Sequence, residues 1–218
     1  MKAEKLHQLM LVDDHPLVRR GLAELISEEP GLEVCAQTSS AEECLKKLAE
    51  CQPDCLIIDI SLPGMNGLEL IKRVRSRYPD VKILVASMHE ESLFAERSLR
   101  AGANGFISKE EATEKVIEAI NRVLSGQVYL SGPMTSRLLS NVVSGEVGRK
   151  SQIESLTDRE LEVFGLIGRG LATRDIAEKL HLSVKTVETH RDHIRNKLNL
   201  ETTHQLVRHA VQWVLEQG

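Results

Sequence analysis

The sequence predicts an α/β fold: a (βα)5 doubly wound parallel sheet, followed by a second, smaller all-α domain with a helix-turn-helix layout. Five short apolar runs alternate with five amphipathic stretches across residues 9–125, so each step between strands includes a helix, as in a parallel sheet with right-handed crossovers. Glycine and serine are frequent across residues 126–150. Beyond residue 155 the apolar residues repeat at helical spacing, which predicts the all-α domain. We expect domains at 1–126 and 151–218 and a linker with one short helix at 127–150.

Each predicted strand is a short apolar run that ends at a polar residue. The run 55–58 is apolar throughout and leads directly into Asp59, as expected for a strand that is buried on both faces. Pro63, Gly64 and Gly67 follow, so the chain leaves the sheet at once. The five predicted strands are residues 9–12, 33–38, 55–58, 83–86 and 105–108.

Helices are predicted in the intervals between these strands. Pro16 suits the first turn of a helix, and Ser40 and Glu43 have the spacing of a capping box. Pro79 and Gly102 follow the third and fourth helices and mark their ends. The five predicted helices are residues 16–26, 41–48, 67–78, 92–101 and 116–124.

The second domain is predicted to contain four helices. Thr157 and Glu160 form a capping box, Ser183 is a typical N-cap, and Thr202 and Gln205 cap the last helix. The middle two helices are separated by a tight turn, which is the layout of a helix-turn-helix. The first three are residues 158–167, a short helix that begins at 173 or 174 and ends at 180, and a longer one at 184–198.

Helical wheels divide the last two helices into buried and exposed faces. The buried stripe predicted for the longer helix is Val184, Val187, Ile194 and Leu198. Its exposed side is Lys185, Glu188, Thr189, Asp192 and Asn196, with His190 and Arg191 at the edges. The core stripe predicted for the last helix is Leu206, Val207, Ala210, Trp213 and Val214. Val211 and Leu215 then face away, and we interpret them as a dimer seam.

Composition excludes several classes of protein. No apolar run approaches the roughly 18 residues that span a bilayer, and residues 1–5 lead into no signal-peptide core, so we expect a cytoplasmic protein. The four cysteines have no zinc-finger spacing, which favours reduced thiols. Residues 150–218 contain as many acidic as basic side chains, so a DNA-binding hypothesis depends on where the charges lie rather than on net charge.

Polar residues at the strand ends predict a site along one rim of the sheet. Ligands of open α/β sheets bind at the carboxyl ends of the strands, and Asp13, Asp14, Asp59, Ser87 and Lys109 all lie there. Three carboxylates repel one another unless a cation joins them, and hard oxygen ligands of this kind suit Mg²⁺. The rim is therefore a candidate magnesium site.

Asp59 is the candidate nucleophile of this rim. Its carboxylate could attack a phosphoryl donor to form an aspartyl phosphate, while Lys109 and the metal stabilise the transferring charge and Ser87 binds a phosphoryl oxygen. The alternative is a phosphohydrolase that uses Asp59 as a covalent nucleophile. Such enzymes of the haloacid-dehalogenase type place a second acid two residues later, where this chain has Ser61.

Residues 9–125 resemble the receiver domain of two-component response regulators. The resemblance lies in Asp13 and Asp14, in Asp59 followed by Pro63 and Gly64, and in Ser87, Phe106 and Lys109. It implies Asp59 as phosphoacceptor and Ser87, Phe106 and Lys109 as phosphate-binding and switch residues. It also implies that Asp14, Asp59 and the backbone carbonyl of Ser61 bind Mg²⁺ directly and Asp13 through water. Glu110 departs from the family, since many receivers have proline there. Ser61 and His89 flank the site and are candidates for setting the hydrolysis rate.

Residues 156–213 resemble the LuxR-type helix-turn-helix of the NarL/FixJ class. The resemblance lies in Leu156 to Glu160, in Ile176 and Ala177, in Ser183 to His190 and in Lys197 and Leu198. It implies that the helix after Ser183 reads the major groove of double-stranded DNA. Glu188 stands where relatives often have Lys or Arg, so we expect it to accept from a cytosine. The candidate DNA-binding residues are Lys185, Thr186, Glu188, Thr189, Arg191, Asp192, Arg195, Asn196 and Lys197, of which Lys185, Arg191, Arg195 and Lys197 are phosphate anchors.

Together the two resemblances imply a phosphorylation-activated, DNA-binding transcriptional regulator rather than an enzyme. Its phosphate would come from a sensor histidine kinase, its second partner would be promoter DNA, and phosphorylation would promote a homodimer. No membrane partner is expected.

Overall fold

The computed structural model describes residues 6–88, 91–111, 113–143 and 152–217. The chain divides into two compact units, Met1–Leu138 and Leu139–Gly218. None of the described helices combines the length and apolar character that crossing a membrane requires.

The first unit is built around a parallel sheet of five strands in the order β2-β1-β3-β4-β5. The strands are β1 (His7–Val12), β2 (Leu32–Thr38), β3 (Cys55–Ile58), β4 (Lys82–Ser87) and β5 (Gly105–Ser108). The helices are α1 (Pro16–Ser27), α2 (Ala41–Cys51), α3 (Gly67–Arg77), α4 (Glu91–Ala101) and α5 (Thr113–Leu124), followed by α6 (Gly132–Val143). The prediction of a (βα)5 sheet is confirmed.

The central strands are apolar because both faces of the sheet are covered. All four residues of β3 and the last four of β1 are buried, which is why these segments are continuous apolar runs rather than alternating ones. Burial of each aliphatic side chain contributes roughly 1.5–3 kcal/mol to the free energy of folding. The thiols of Cys44 and Cys55 lie in the same interior, and burial raises the pKa of each to about 12, which agrees with the interpretation of the cysteines as reduced thiols.

Local hydrogen bonds fix the helix ends near the positions that the sequence predicts. The Ser40 hydroxyl accepts from the backbone N–H of Glu43 at 3.2 Å and caps α2. The Glu43 carboxylate accepts from the N–H of Ser39 at 3.0 Å instead of that of Ser40, so the predicted capping box forms with its second bond displaced by one residue. Gly102 has a φ of +110° and ends α4.

The chain beyond α5 packs against the first unit before α6 begins. Tyr129 forms a parallel bridge with Gly105 of β5, and Met134 in the first turn of α6 is 4% exposed. Part of the segment that the sequence predicts as linker is therefore bound to the sheet. The same segment contains α6, in which Leu139 is 61% exposed. Residues 144–151 lie outside the described part.

Besides the end of α6, the described residues of the second unit form a short 3-10 turn, Gln152–Ser155, and four helices. The helices are α7 (Asp158–Gly168), α8 (Thr173–Lys179), α9 (Val184–Lys197) and α10 (Thr203–Gln217). The capping box of α7 forms fully between Thr157 and Glu160, as predicted. Gly168 lets α7 and α10 meet closely, because a Cβ there would lie 2.4 Å from the carbonyl oxygen of Ala210.

Two residues of the predicted core stripes are exposed. Val184 is 43% exposed because it is the first residue of α9. A helical wheel gives the direction of a side chain, but it does not show whether a neighbouring helix extends far enough to cover it. Val207 is 37% exposed, since α10 packs through Leu206 and Ala210, and the next residue projects to the side. The other predicted members of the α9 stripe are buried.

Candidate functional site

Backbone hydrogen bonds of the sheet extend into the rim and fix its acidic and basic residues. The N–H of Asp59 donates to the carbonyl of Val12 at 2.8 Å, and that of Lys109 donates to the carbonyl of Ser87 at 3.0 Å. Since β1, β3, β4 and β5 are parallel and adjacent, their carboxyl ends meet at one edge. The structure therefore places the predicted rim residues side by side.

Lys109 lies at the centre of this rim, between two carboxylates. Its Nζ is 2.5 Å from Asp13 Oδ2 and 2.7 Å from Asp59 Oδ2, and all three side chains are at most 5% exposed. Burial of the ammonium lowers the pKa of Lys109, but the carboxylates of Asp59 and Asp13 raise it by more, so it lies above its usual value. Lys109 is thus held as a cation that faces both acids.

The carboxylates exceed the positive charge available to them. Burial raises the pKa of Asp13; the Lys109 ammonium opposes this rise and Asp59 adds to it, and the net pKa is above its ordinary value. Asp59 Oδ1 is buried and accepts no hydrogen bond from the described residues. One oxygen of the predicted nucleophile is therefore left for a ligand.

The geometry of the acidic side chains fits a divalent cation. Asp13, Asp14, His15 and Asp59 each offer one ligand atom, and these atoms all lie within 4.8 Å of one another. Three of the four are carboxylate oxygens, the donors that Mg²⁺ prefers. Ser61, whose carbonyl is a further predicted ligand, is half-buried two residues beyond Asp59. The residues present therefore suit Mg²⁺.

His15 is part of the rim, and the sequence-based reasoning missed it. Its Nδ1 is 2.7 Å from Asp14 Oδ1, and its backbone N–H donates to Asp13 Oδ1 at 2.9 Å. The signal was its place directly after the acid pair, where α1 begins. Arg19, also missed, donates from its guanidinium to the carbonyl of Asp13.

The two predicted switch residues are fully buried beside the rim. Ser87 is the last residue of β4, and Phe106 is the second residue of β5, where it pairs with Val85 in the sheet. Both are 0% exposed. His89, predicted to flank the site, lies outside the described residues.

The loop after Asp59 returns very closely past it. The N–H of Gly67 donates to the carbonyl of Ile60 at 2.9 Å, and a Cβ at Gly67 would lie 2.1 Å from the carbonyl oxygen of Asp59. Any other residue would push the backbone of Asp59 aside. In the sequence Gly67 is a turn signal, which does not reveal this steric requirement.

In the second unit, α9 exposes most of the residues predicted to contact DNA. Its buried side packs through Val187, Ile194 and Leu198. Its N-terminus is capped by Ser183, whose hydroxyl accepts from the N–H of Thr186 at 3.0 Å. The candidates that are exposed are Lys185, Glu188, Thr189, Asp192, Asn196 and Lys197, whereas Thr186, Arg191 and Arg195 are half-buried.

Three of the predicted phosphate anchors have partners within the unit. Lys197 Nζ is 2.7 Å from Glu160 Oε2 of α7, and Arg195 is 2.9 Å from Asp192. Arg191 donates to the hydroxyl of Thr173 at 3.3 Å. Contact with DNA phosphates would require these cations to share or exchange their partners. Of the predicted anchors, Lys197 is the one that links two helices through an ion pair.

His190, at the edge of the exposed side of α9, has the surroundings of a packing residue. The ring is half-buried, and its Nδ1 is buried without a hydrogen-bond partner among the described residues. Burial and the neighbouring Arg159 lower the pKa of His190, which keeps the ring neutral. A half-buried ring whose lowered pKa disfavours the charged form suits packing rather than contact with phosphate.

Acidification is expected to destabilise the second unit through Glu160. Its burial raises the pKa, but Lys197 and the N–H of Thr157 lower it by more, so the folded pKa lies below the unfolded one. Stability from this group is therefore present above the unfolded pKa and is lost as pH falls through the folded pKa. Glu160→Gln should cost about 1 kcal/mol at pH 7 and flatten this acid dependence.

The measurement is denaturant unfolding at a series of pH values, with the fluorescence of Trp213 as the signal that reports unfolding. Trp213 is the one tryptophan in the sequence and packs on Phe164 of α7 with ring centroids 5.2 Å apart. Glu178→Gln, at an exposed acid of α8, is the matched control and should behave as wild type. Equal acid dependence in wild type and Glu160→Gln would contradict the role given to this ion pair.

Comparison with known proteins defines the class to which this fold and rim belong. The family model for the response regulator receiver domain matches residues 9–121, which is more than half of the chain. The model for bacterial regulatory proteins of the luxR family matches residues 154–210. The chain therefore belongs to the two-component response regulators. It combines a receiver with a LuxR-type helix-turn-helix, as the NarL/FixJ class does, and is a DNA-binding transcription regulator.

Particular relatives share this arrangement over nearly their whole length. The transcriptional activator protein ExaE of Pseudomonas putida is 38% identical over 205 residues, which cover 94% of this chain and 95% of the relative. The oxygen regulatory protein NreC of Staphylococcus epidermidis is 36% identical over 211 residues, with coverages of 94% and 97%. RcsB of Salmonella enterica serovar Typhimurium, solved on promoter P1flhDC with the phosphomimetic BeF3⁻, shares the fold at a TM-score of 0.63 and 24% identity, with coverages of 94% and 98%.

Proposed function

We propose that Asp59 accepts a phosphoryl group from a sensor histidine kinase and that this phosphorylation controls the affinity of α9 for promoter DNA. The observation that carries the proposal is the buried Asp59 carboxylate, of which one oxygen is bound by Lys109 and the other has no hydrogen-bond partner among the residues that the structure describes. In a receiver this is the arrangement expected of a nucleophile. Labelling with acetyl phosphate in Mg²⁺ tests it, and a wild-type protein that stays unlabelled would refute it.

The transfer would proceed by attack of Asp59 Oδ1 on the phosphorus of a phosphohistidine. The new P–O bond forms as the P–N bond breaks, and the imidazole leaves with the electron pair and takes a proton from water. Lys109, already 2.7 Å from Asp59, then balances the negative charge on the phosphoryl oxygens. We propose that the Ser87 hydroxyl binds one of these oxygens and that Phe106 moves into the space that Ser87 vacates, as a two-state switch.

We further propose that Mg²⁺ is held by Asp14, Asp59 and the Ser61 carbonyl directly, and by Asp13 through water. When bound, the ion would neutralise charge on the transferring phosphoryl group. Formal charges support one divalent cation at this place, because Lys109 and such an ion together balance the three carboxylates of the rim.

The phosphohydrolase alternative has less support in the rim. Its general acid would stand two residues after the nucleophile, and Ser61 there lacks an acidic proton near neutral pH. We propose that the chain does not turn over phosphate esters. Release of phosphate from a generic aryl phosphate at many turnovers per protein would contradict this.

For DNA recognition we propose that the exposed side of α9 enters the major groove. Glu188 projects from the middle of this side, where a carboxylate can accept from cytosine N4 but is repelled by phosphate. Glu188→Ala should therefore cost about 1–3 kcal/mol of discrimination at one C·G pair and leave the other positions unchanged. Footprinting and selection from randomised DNA measure this, and an unchanged base preference would reject the contact.

We propose that the homodimer forms through the exposed side of α10. Val207, Val211 and Leu215 are spaced four residues apart and are 37%, 36% and 76% exposed, so the predicted seam gains Val207. Sedimentation of the phosphorylated Leu215→Glu variant should give monomers if this is correct.

We also propose that the receiver ends near residue 126, that a linker spans 127–150, and that the DNA-binding domain occupies 151–218. Since a histidine kinase and promoter DNA meet in the cytoplasm, the proposal places the protein there.

A further inference from the structure

The linker helix α6 begins without an acidic capping partner of its own. Ser131 is its N-cap, and the Ser131 hydroxyl accepts from the N–H of Met134 at 3.2 Å. In a capping box the residue three positions after the N-cap, a Glu or Gln, accepts in return from the N-cap N–H. That position is Met134 here, and its thioether is a weak acceptor. The N–H of Ser131 therefore needs a partner from elsewhere.

Glu91, the first residue of α4, supplies this partner. Its Oε1 accepts from the N–H of Ser131 at 2.8 Å, across 40 residues of sequence. By contrast, α7 and α10 complete their caps locally, through Glu160 on Thr157 at 2.7 Å and through Gln205 on Thr202 at 3.1 Å. The start of α6 is thus formed jointly with another helix of the receiver.

A second tie joins the segment 129–131, here called the linker base, to β5. The N–H of Phe106 donates to the carbonyl of Tyr129 at 2.9 Å, and the N–H of Tyr129 donates to the carbonyl of Asn104 at 3.1 Å. Phe106 is the proposed aromatic switch, so its own backbone is bound to the linker base. A Cβ at Gly105 would lie 2.9 Å from the Tyr129 carbonyl, which shows how closely the two segments run.

The linker base is therefore attached to both elements that carry the proposed switch residues. Ser87 ends β4, and Glu91 begins α4 four residues later. Phe106 lies in β5. A displacement of α4 would change the Glu91 contact, whereas the backbone bonds to β5 can persist. The hydrogen bond from Ser131 to the Glu91 carboxylate is more sensitive to movement of α4 than the backbone bonds to β5, because it depends on the position of one side chain.

We propose that Glu91 is a positioning residue that forms the first turn of the linker helix only while α4 keeps the position seen here. On this account, phosphorylation moves α4, withdraws the carboxylate from Ser131 and frays the first turn of α6. The coupling to phosphorylation rests on the proposed function of Asp59. The capping role of Glu91 in the unmodified protein stands independently of it.

The capping role is tested by amide hydrogen exchange of the unmodified full-length protein, resolved by NMR at Ser131, Met134 and Thr135. Glu91→Ala should accelerate these amides about 2-fold to 30-fold, the range expected when a helix cap is lost. Glu91→Asp keeps the charge but is one methylene shorter, so it should accelerate them similarly even if Glu91→Ala folds poorly. Glu91→Gln retains an acceptor and should stay close to wild type.

Glu96→Ala is the matched control, because Glu96 lies on the same helix and pairs with Arg100 on the surface. It should leave the three amides unchanged. The amide of Phe106 monitors whether β5 stays intact in every variant. Wild-type exchange rates in both Glu91→Ala and Glu91→Asp would overturn the capping role.

The coupling is tested by adding beryllofluoride and Mg²⁺. In wild type the Ser131, Met134 and Thr135 amides should accelerate to the rates of Glu91→Ala, and in Glu91→Ala they should change no further. The amide shifts of Asp59 and Lys109 report whether the rim is loaded. If beryllofluoride binds at the rim and the exchange rate of the Ser131 amide does not change, the coupling alone would be overturned. Rims that never load would refute the proposed function and the coupling with it, while the capping result would stand.

Discussion

The Asp59→Asn variant is expected to fold, to bind its partners in the unmodified state and to accept no phosphoryl group from acetyl phosphate in Mg²⁺. The amide oxygen of asparagine is a poor nucleophile, so the acyl phosphate cannot form. Stability should be equal to or above that of wild type, because the substitution relieves repulsion among three clustered carboxylates, of which Asp13 and Asp59 share the Lys109 ammonium. Intact-protein mass spectrometry measures the label, and thermal unfolding measures the stability.

The control for this experiment is Asp80→Asn, which removes an exposed carboxylate at the turn before β4 and should be labelled as wild type is. Asp13→Asn should be labelled more slowly and still on Asp59, because Asp13 is proposed to act through the metal. A label that survives Asp59→Asn, or that maps to Asp13 in wild type, would contradict the assignment of the phosphoacceptor.

Gly67→Ala is expected to have the largest effect on stability of any substitution by alanine near the rim. The new methyl would lie 2.1 Å from the Asp59 carbonyl oxygen and 2.8 Å from the Cα of Ile60, and both are backbone atoms that cannot rotate away. The loop has to shift at a cost of about 3 kcal/mol or more, and Asp59 shifts with it. Calorimetry should show the loss in the receiver transition, and labelling by acetyl phosphate should slow.

Gly21→Ala is the same chemical change as Gly67→Ala, but it is expected to raise stability rather than lower it. Gly21 is exposed in α1, and a Cβ there meets nothing within 4 Å. Its replacement should raise stability by roughly 0.5–1 kcal/mol through higher helix propensity, with no effect on labelling. If both variants lost stability equally, the close approach at Gly67 would not be the cause.

Much of the fold was predictable because it depends on the alternation of apolar runs with helical spacing. A strand such as β3 is buried on both faces, so its four apolar residues and the acid after them mark both the strand and the rim. The positions of Asp13, Asp59 and Lys109 followed from the rule that parallel strands end at one edge. Their pairing distances did not, because the pattern carries no side-chain geometry.

Several of the features that sequence reasoning missed depend on contacts between segments that are distant in sequence. The Glu91 carboxylate reaches Ser131 across 40 residues, and no local spacing signals such a pair. Lys197 was interpreted as a DNA contact from its place on α9, but its ion pair with Glu160 depends on how α7 and α9 cross. Val184 and Val207 were placed in the core by wheel angles, which describe one helix and not the extent of its neighbours.

The central proposal is that a phosphoryl group on Asp59 changes the affinity of α9 for DNA. Its most direct test is recovery of genomic DNA fragments by the full-length protein, with and without beryllofluoride and Mg²⁺, in wild type and in Asp59→Asn. We predict that beryllofluoride raises the affinity of wild type for a defined set of fragments by about 5-fold to 150-fold, the usual range of coupling between two sites, and leaves Asp59→Asn unchanged. Equal recovery from wild type in both conditions, or the same gain in Asp59→Asn, would contradict it.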